Sequence, residues 1–249
     1  MGKMDQIHPA VFRFGDASEA AGSQAGHSFP FGLGESGLHE VCESRFGDLA
    51  ALSGFVLATA QLRSGAIAWI GQRGLSSEHG TLMMAGQASL RRDCRHILSI
   101  RTQTLSHALW ALEEVICSAA VGAVIAELEQ PDFTASRRLL LASERHGVPV
   151  ILLLPFRAEG ATAATARWRV QPEPSSFNRF DPHAPGNARW CAQLERSRMA
   201  PDQVGRRFYV ELDHETLSLR MVSGMATHAP ASRPKRKDKG NSETIRATG

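Results

Sequence analysis

The sequence predicts an α/β fold: a mostly parallel central sheet with helices on both faces, extended by antiparallel C-terminal strands. Three observations carry this. Apolar runs alternate with helix-periodic segments from residue 38 to residue 154, the order that builds parallel strands joined by helical crossovers. Two of the runs, VGAVIAEL (121–128) and VPVILLL (148–154), are apolar without alternation, as strands covered on both faces must be. After Pro155 the pattern changes to period two in ATARWRVQ, ARWCAQLERSR, RRFYVELD and TLSLRMV. That pattern is expected of antiparallel strands with one exposed face each.

The elements follow in order. Residues 1–27 read as a flexible arm, because GDASEAAGSQAG (15–26) offers no periodic apolar face. Residues 28–222 form the domain, entered through the Pro/Gly-rich FPFGLGESG and the strand LHEV. A corner, CESRFGD, separates that strand from a helix over 48–62, where Leu49, Leu52, Val56, Leu57 and Ala60 recur at helical spacing. Ser64 and Gly65 end it, and AIAWIG (66–71) is the next strand. Residues 72–94 read as loop plus a short helix, and RHILSIR (95–101) as a strand. Thr104 or Ser106 caps a helix to about residue 118. Asp132 or Thr134 caps the next, which closes with Arg145 and His146 against its negative end and Gly147 beyond. Within it, SRRLLLASERHG (136–147) places Arg137 and Arg138 in the first turn, where the helix dipole disfavours cations. They are expected to pair with Glu127 or Glu129, or to contact a partner. Residues 223–249 read as a disordered basic tail.

Composition narrows the class. At 249 residues, 43% hydrophobic and 21% charged, the chain is an ordinary globular protein, and a core of about 200 residues needs no covalent staple. No apolar h-region opens it, and its longest uncharged apolar stretch, 49–62, is too short for a bilayer; a cytoplasmic protein is expected. The four cysteines match no zinc or redox spacing. Cys42, near a helix N-terminus but beside Glu43, is read as structural. Charge is uneven: residues 229–249 hold six basic and two acidic residues, a net of +4, which leaves −1 for residues 1–228 of the +3 chain. Lysine occurs only at Lys3, Lys235, Lys237 and Lys239, so the body between residues 4 and 234 has none.

The corner is where a nucleotide-binding α/β protein holds phosphate. That task needs G-x-x-x-x-G-K-[ST]: glycines let backbone N–H groups close on the phosphates, the lysine neutralises charge, and the hydroxyl holds magnesium. Cys42, Glu43, Ser44, Arg45, Phe46, Gly47 and Asp48 supply one glycine, no lysine and two acids. A carboxylate 6 Å from a phosphate charge costs about 0.7 to 2.8 kcal/mol for dielectrics of 80 to 20. Nucleotide binding, a cofactor and a bound metal are therefore not expected. Glu127, near the end of VGAVIAEL, stands where a magnesium-holding acid would be, and is read as solvated or arginine-paired. No HExxH, GxSxG or paired-cysteine motif occurs, so a non-enzyme is expected. The tail cations Arg233, Lys235, Arg236, Lys237 and Lys239 read either as an electrostatic anchor for DNA or an acidic partner, or as a solubilising tail. Five phosphate contacts would give a salt slope of about −4.5.

GLHEV before the corner, ALWALEEVICSAAVGAVIAEL, DFTASRRLLLASERHGVPVILLL, TARWRVQPEPS and WCAQLERSRMAPDQVGRRFYVELD together resemble the ImuA family, RecA-like proteins of bacterial inducible-mutagenesis operons. The resemblance covers about residues 29–213 and is most specific over 109–176. It implies a RecA-like fold and a role in error-prone translesion synthesis after DNA damage, and with the corner's lost phosphate motif a non-catalytic adaptor is expected. The partners it implies are the RecA recombinase filament, a Y-family-like polymerase protein and an error-prone DNA polymerase. The RecA phosphate loop would fall at residues 42–49, where this sequence departs from it. RecA's second DNA-binding loop would fall at FRAEGATA (156–163), with Arg157 its one cation. Arg137, Arg138 and Arg157 join the tail cations as expected partner or DNA contacts. The alternatives are a cell-division inhibitor like the related SulA proteins, and a degenerate ATPase using Glu127 and Arg137.

Overall fold

A computed structural model describes residues 30–31, 33–59, 65–83, 86, 97–178, 180–181, 183–213 and 218–222. The predicted arm (1–27) and tail (223–249) lie outside these residues, and with them Arg233, Lys235, Arg236, Lys237 and Lys239.

The described chain forms one nine-stranded sheet. Its strands are β1 (Leu38–Glu43), β2 (Ile67–Gln72), β3 (Ile97–Thr102), β4 (Ala123–Glu127), β5 (Val150–Leu154), β6 (Ala166–Glu173), β7 (Arg189–Ser197), β8 (Arg207–Asp213) and β9 (Ser218–Met221). Their order is β3-β2-β4-β5-β1-β6-β7-β8-β9. The six strands from β3 to β6 run parallel and the last three are antiparallel additions. This agrees with the RecA-like fold that the resemblance implies. One expectation is corrected: β6 is not antiparallel to its predecessor but runs parallel to β1, with Val41 opposite Trp168. Period-two alternation reports which residues are covered, not the direction of the neighbour.

Helices flank both faces, which is why β1, β4 and β5 are buried at every residue. One core unites α1 (Leu49–Thr59) with Val41, Trp69, Ile125, Ile151, Leu153 and Trp168. The opposite core unites α3 (Leu105–Ser118) and α4 (Phe133–His146) with Leu38, Ala68, Val124, Val150 and Leu152. The short α2 (Arg73–His79) follows β2 directly.

The caps are those the sequence offers. Thr104 accepts from His107 N–H at 3.3 Å and Asp132 from Ala135 N–H at 2.7 Å, contacts worth about 1 kcal/mol each. Because α4 starts at Phe133, Arg137 and Arg138 lie in its second turn, not its first. Gly147, at φ +67, ends α4. Ser143 then ties α4 to the entry of β1, its hydroxyl accepting from Gly37 N–H at 2.7 Å and donating to Gly37 C=O at 2.9 Å. The Trp190 indole of β7 donates to Ala51 C=O at 2.9 Å, so the antiparallel strands share α1's core. Among the described residues, no helix is long and apolar enough to cross a membrane.

Candidate functional site

The C-terminal ends of parallel strands are where open α/β sheets bind ligands, and here β1, β2, β4 and β5 bring the corner, α2, Glu127 and Phe156 together. Glu43 ends β1 on the α1 face and is fully buried. Its chain turns back through Gly47, whose φ of +97 costs a side-chain-bearing residue about 1–2 kcal/mol. The turn aims the Gly47 N–H at Glu43 Oε2, 3.1 Å away. An amide of the loop that would cradle phosphate is thereby occupied by the protein's own carboxylate.

Around it lies a small acidic cluster. His79 Nε2, from the last turn of α2, stands 3.7 Å from Glu43 Oε1, too far for a hydrogen bond, and that oxygen has no hydrogen-bond partner. Glu127, 5% exposed, accepts from the Ser53 hydroxyl of α1 at 3.1 Å. Burial pushes the Glu43 carboxyl up, opposed by His79 and the N–H groups of Gly47 and Asp48. Burial pushes Glu127 up as well, opposed first by the Ser53 hydroxyl. A cleft of about 220 Å³ opens over Ser53, His79, Leu82, Met83 and Glu127. Glu127 is the acid among its described lining residues, which disfavours phosphate oxygens there, and its carboxylate is engaged by the Ser53 hydroxyl. Among the described residues, no three His, Cys, Asp or Glu side chains are grouped to hold a metal ion.

The corner's outer side is aromatic and cationic. Exposed Phe46 packs on His79 at 5.1 Å and edge-on to Phe156 at 6.3 Å, and the Arg157 guanidinium lies 5.2 Å over the Phe156 ring. Arg45 reaches Asp48 at 3.7 Å. Behind the loop, Arg169 of β6 grips the corner and the 156–158 segment together. Its guanidinium donates to Glu43 C=O at 2.8 Å, Phe156 C=O at 2.9 Å and Ala158 C=O at 3.1 Å, and holds Glu195 through two bonds of 2.5 and 3.1 Å.

No family model matches the chain. Two curated relatives do: Protein ImuA of Caulobacter vibrioides strain NA1000 / CB15N, and Protein ImuA of strain ATCC 19089 / CIP 103742 / CB 15. Each is 29% identical over 238 residues, which covers 89% of this chain and 93% of the relative. The chain is thus similar to Protein ImuA along most of its length.

In this ImuA-like chain the structure joins only some of the predicted residues. Glu43, Ser44, Arg45, Phe46, Gly47 and Asp48 form the corner, with Arg157 beside it. Cys42 points into the opposite core, where burial pushes its thiol up to about 12, in keeping with a structural role. Glu127 is neither solvated nor arginine-paired, since Ser53 and burial account for it. Arg138 pairs with Glu113 of α3 at 2.5 Å rather than with Glu127 or Glu129. Arg137 is exposed beside it on α4, whose packing face belongs to the core opposite α1. Sequence reasoning missed His79, Ser53, Arg169, and the buried pair of Arg167 with Glu40 at 2.6 Å, which Thr162 completes at 2.6 Å. The available signal was Arg-x-Arg in ATARWRVQ, two charges on one face of a strand otherwise apolar.

Proposed function

We propose that this chain is a non-catalytic adaptor in DNA-damage-induced, error-prone translesion synthesis in the cytoplasm. It presents a RecA-like surface to the recombinase filament and to a Y-family-like polymerase protein working with an error-prone polymerase. The observation that carries this reading is Glu43 on the Gly47 amide. An ATPase of this architecture reserves such amides for phosphate, whereas here a buried acid satisfies one, and the body supplies no lysine to offset a triphosphate. The similarity to Protein ImuA of Caulobacter vibrioides supports the biological setting, and exposed Arg137 and Arg157 are candidate contact residues.

The test is reconstitution from purified proteins. A complex with the polymerase-like protein that survives gel filtration without nucleotide, and that also retains recombinase filaments, is expected. Absence of any complex, or a complex that forms only with ATP, overturns the reading.

A further inference from the structure

A second cleft, of about 400 Å³, lies beyond the acidic one at the ends of β2 and β3, and Thr81 lines both. Its character is opposite. Arg73, Arg101, Ser76, Ser77, Thr81 and Gln103 line it, and among the described residues no acid does. The register explains the convergence. Arg101 stands opposite Gly71 on the neighbouring strand, two residues before Arg73. Gly71 also leaves room, because a Cβ there would lie 3.3 Å from the Ser76 hydroxyl.

The arginines of this cleft differ from the five that are neutralised within the fold. Arg138, Arg167, Arg169, Arg189 and Arg220 each hold a carboxylate. Arg73 instead donates to the neutral Gln103 amide oxygen at 3.3 Å. Neither Arg73 nor Arg101 makes an ion pair among the described residues. Two guanidiniums facing one concavity repel each other unless an anion lies between them. Guanidinium forks with flanking hydroxyls match the oxygens of phosphate, and the volume falls within the range of small-ligand sites.

We propose that this cleft binds a phosphate group, with Arg73 and Arg101 as its paired anchors. The group comes either from a small phosphate or from the backbone of a nucleic acid. The site is separate from the corner, and it stands or falls independently of the adaptor reading.

Arginine Nε–H signals of the full-length chain, labelled with ¹⁵N, are followed while inorganic phosphate or an oligothymidylate is added. Saturable shifts of the two signals that vanish in Arg73→Gln and Arg101→Gln are expected, with phosphate affinity in the millimolar range. Arg145→Gln, outside the cleft, leaves the shifts unchanged. Thermal unfolding of the Arg73→Gln/Arg101→Gln chain is expected to match wild type, which separates lost binding from lost folding. Shifts at much lower oligothymidylate concentration assign the phosphate to a nucleic-acid backbone, and shifts with inorganic phosphate alone assign it to a small ligand. No saturable shift with either probe, or equal loss in Arg145→Gln, overturns the proposal.

Discussion

Glu43 is the residue on which the reading turns, and its burial has a consequence in pH. A carboxyl whose folded value lies above its ordinary 4.5 favours the fold fully below that value, and the contribution is lost as pH rises through the raised one. His79 and Asp48 face it, and the Gly47 amide is its hydrogen-bond donor. Glu43→Gln keeps an acceptor for that amide and removes the charge. Its melting temperature is therefore expected to exceed wild type at pH 7.5 and to converge with it near pH 4.5, and melting curves across that range check this. His39 acts in the opposite sense. Burial lowers it from 6.5 to about 4, so its contribution is complete above pH 6.5 and lost as pH falls toward 4. The gap corresponds to about 3 kcal/mol. Wild type should lose that much more stability than His39→Gln between pH 6.5 and 4 in urea titrations.

Among the elements, β6 decides how the corner is held. Its one face places Trp168 in the α1 core, and the other presents Arg167 to Glu40 of β1 and Arg169 to Glu195 of β7. Glu40→Met leaves Arg167 buried without its partner and should cost about 3 kcal/mol, whereas the Glu40→Met/Arg167→Met double change should recover most of the loss. Denaturant midpoints of the two variants check this, and an equal loss in both would show that the pair itself, not its unpaired remnant, carries the energy. Strands and helices were legible because burial on one or two faces writes a period into the sequence. VPVILLL could only be covered on both faces, and Asp132 and Gly147 bracket α4 as caps do. The site was legible only as a corner without lysine. The Glu43–Gly47 bond depends on one positive φ, and the Arg169 grip depends on β6 lying beside β1. Alternation marks a strand's faces but not its neighbours, so neither could be read from residue order.

For the whole molecule, the last described residue of the sheet's edge is Val222, whose N–H donates to Tyr209 C=O at 2.8 Å. Truncation after Val222 should leave thermal unfolding unchanged and weaken association with DNA or partners at low salt, which scanning calorimetry and salt-dependent binding measure; a large fall in melting temperature would contradict it. The proposal that this RecA-like sheet does without ATP rests on a phosphate corner whose Gly47 amide is held by the protein's own acid. The direct test is calorimetric titration of ATP with magnesium into the Arg73→Gln/Arg101→Gln chain, so that only the corner is read. The account predicts no saturable heat. Saturable binding in the micromolar range, abolished by a bulky residue at Gly47, would contradict it.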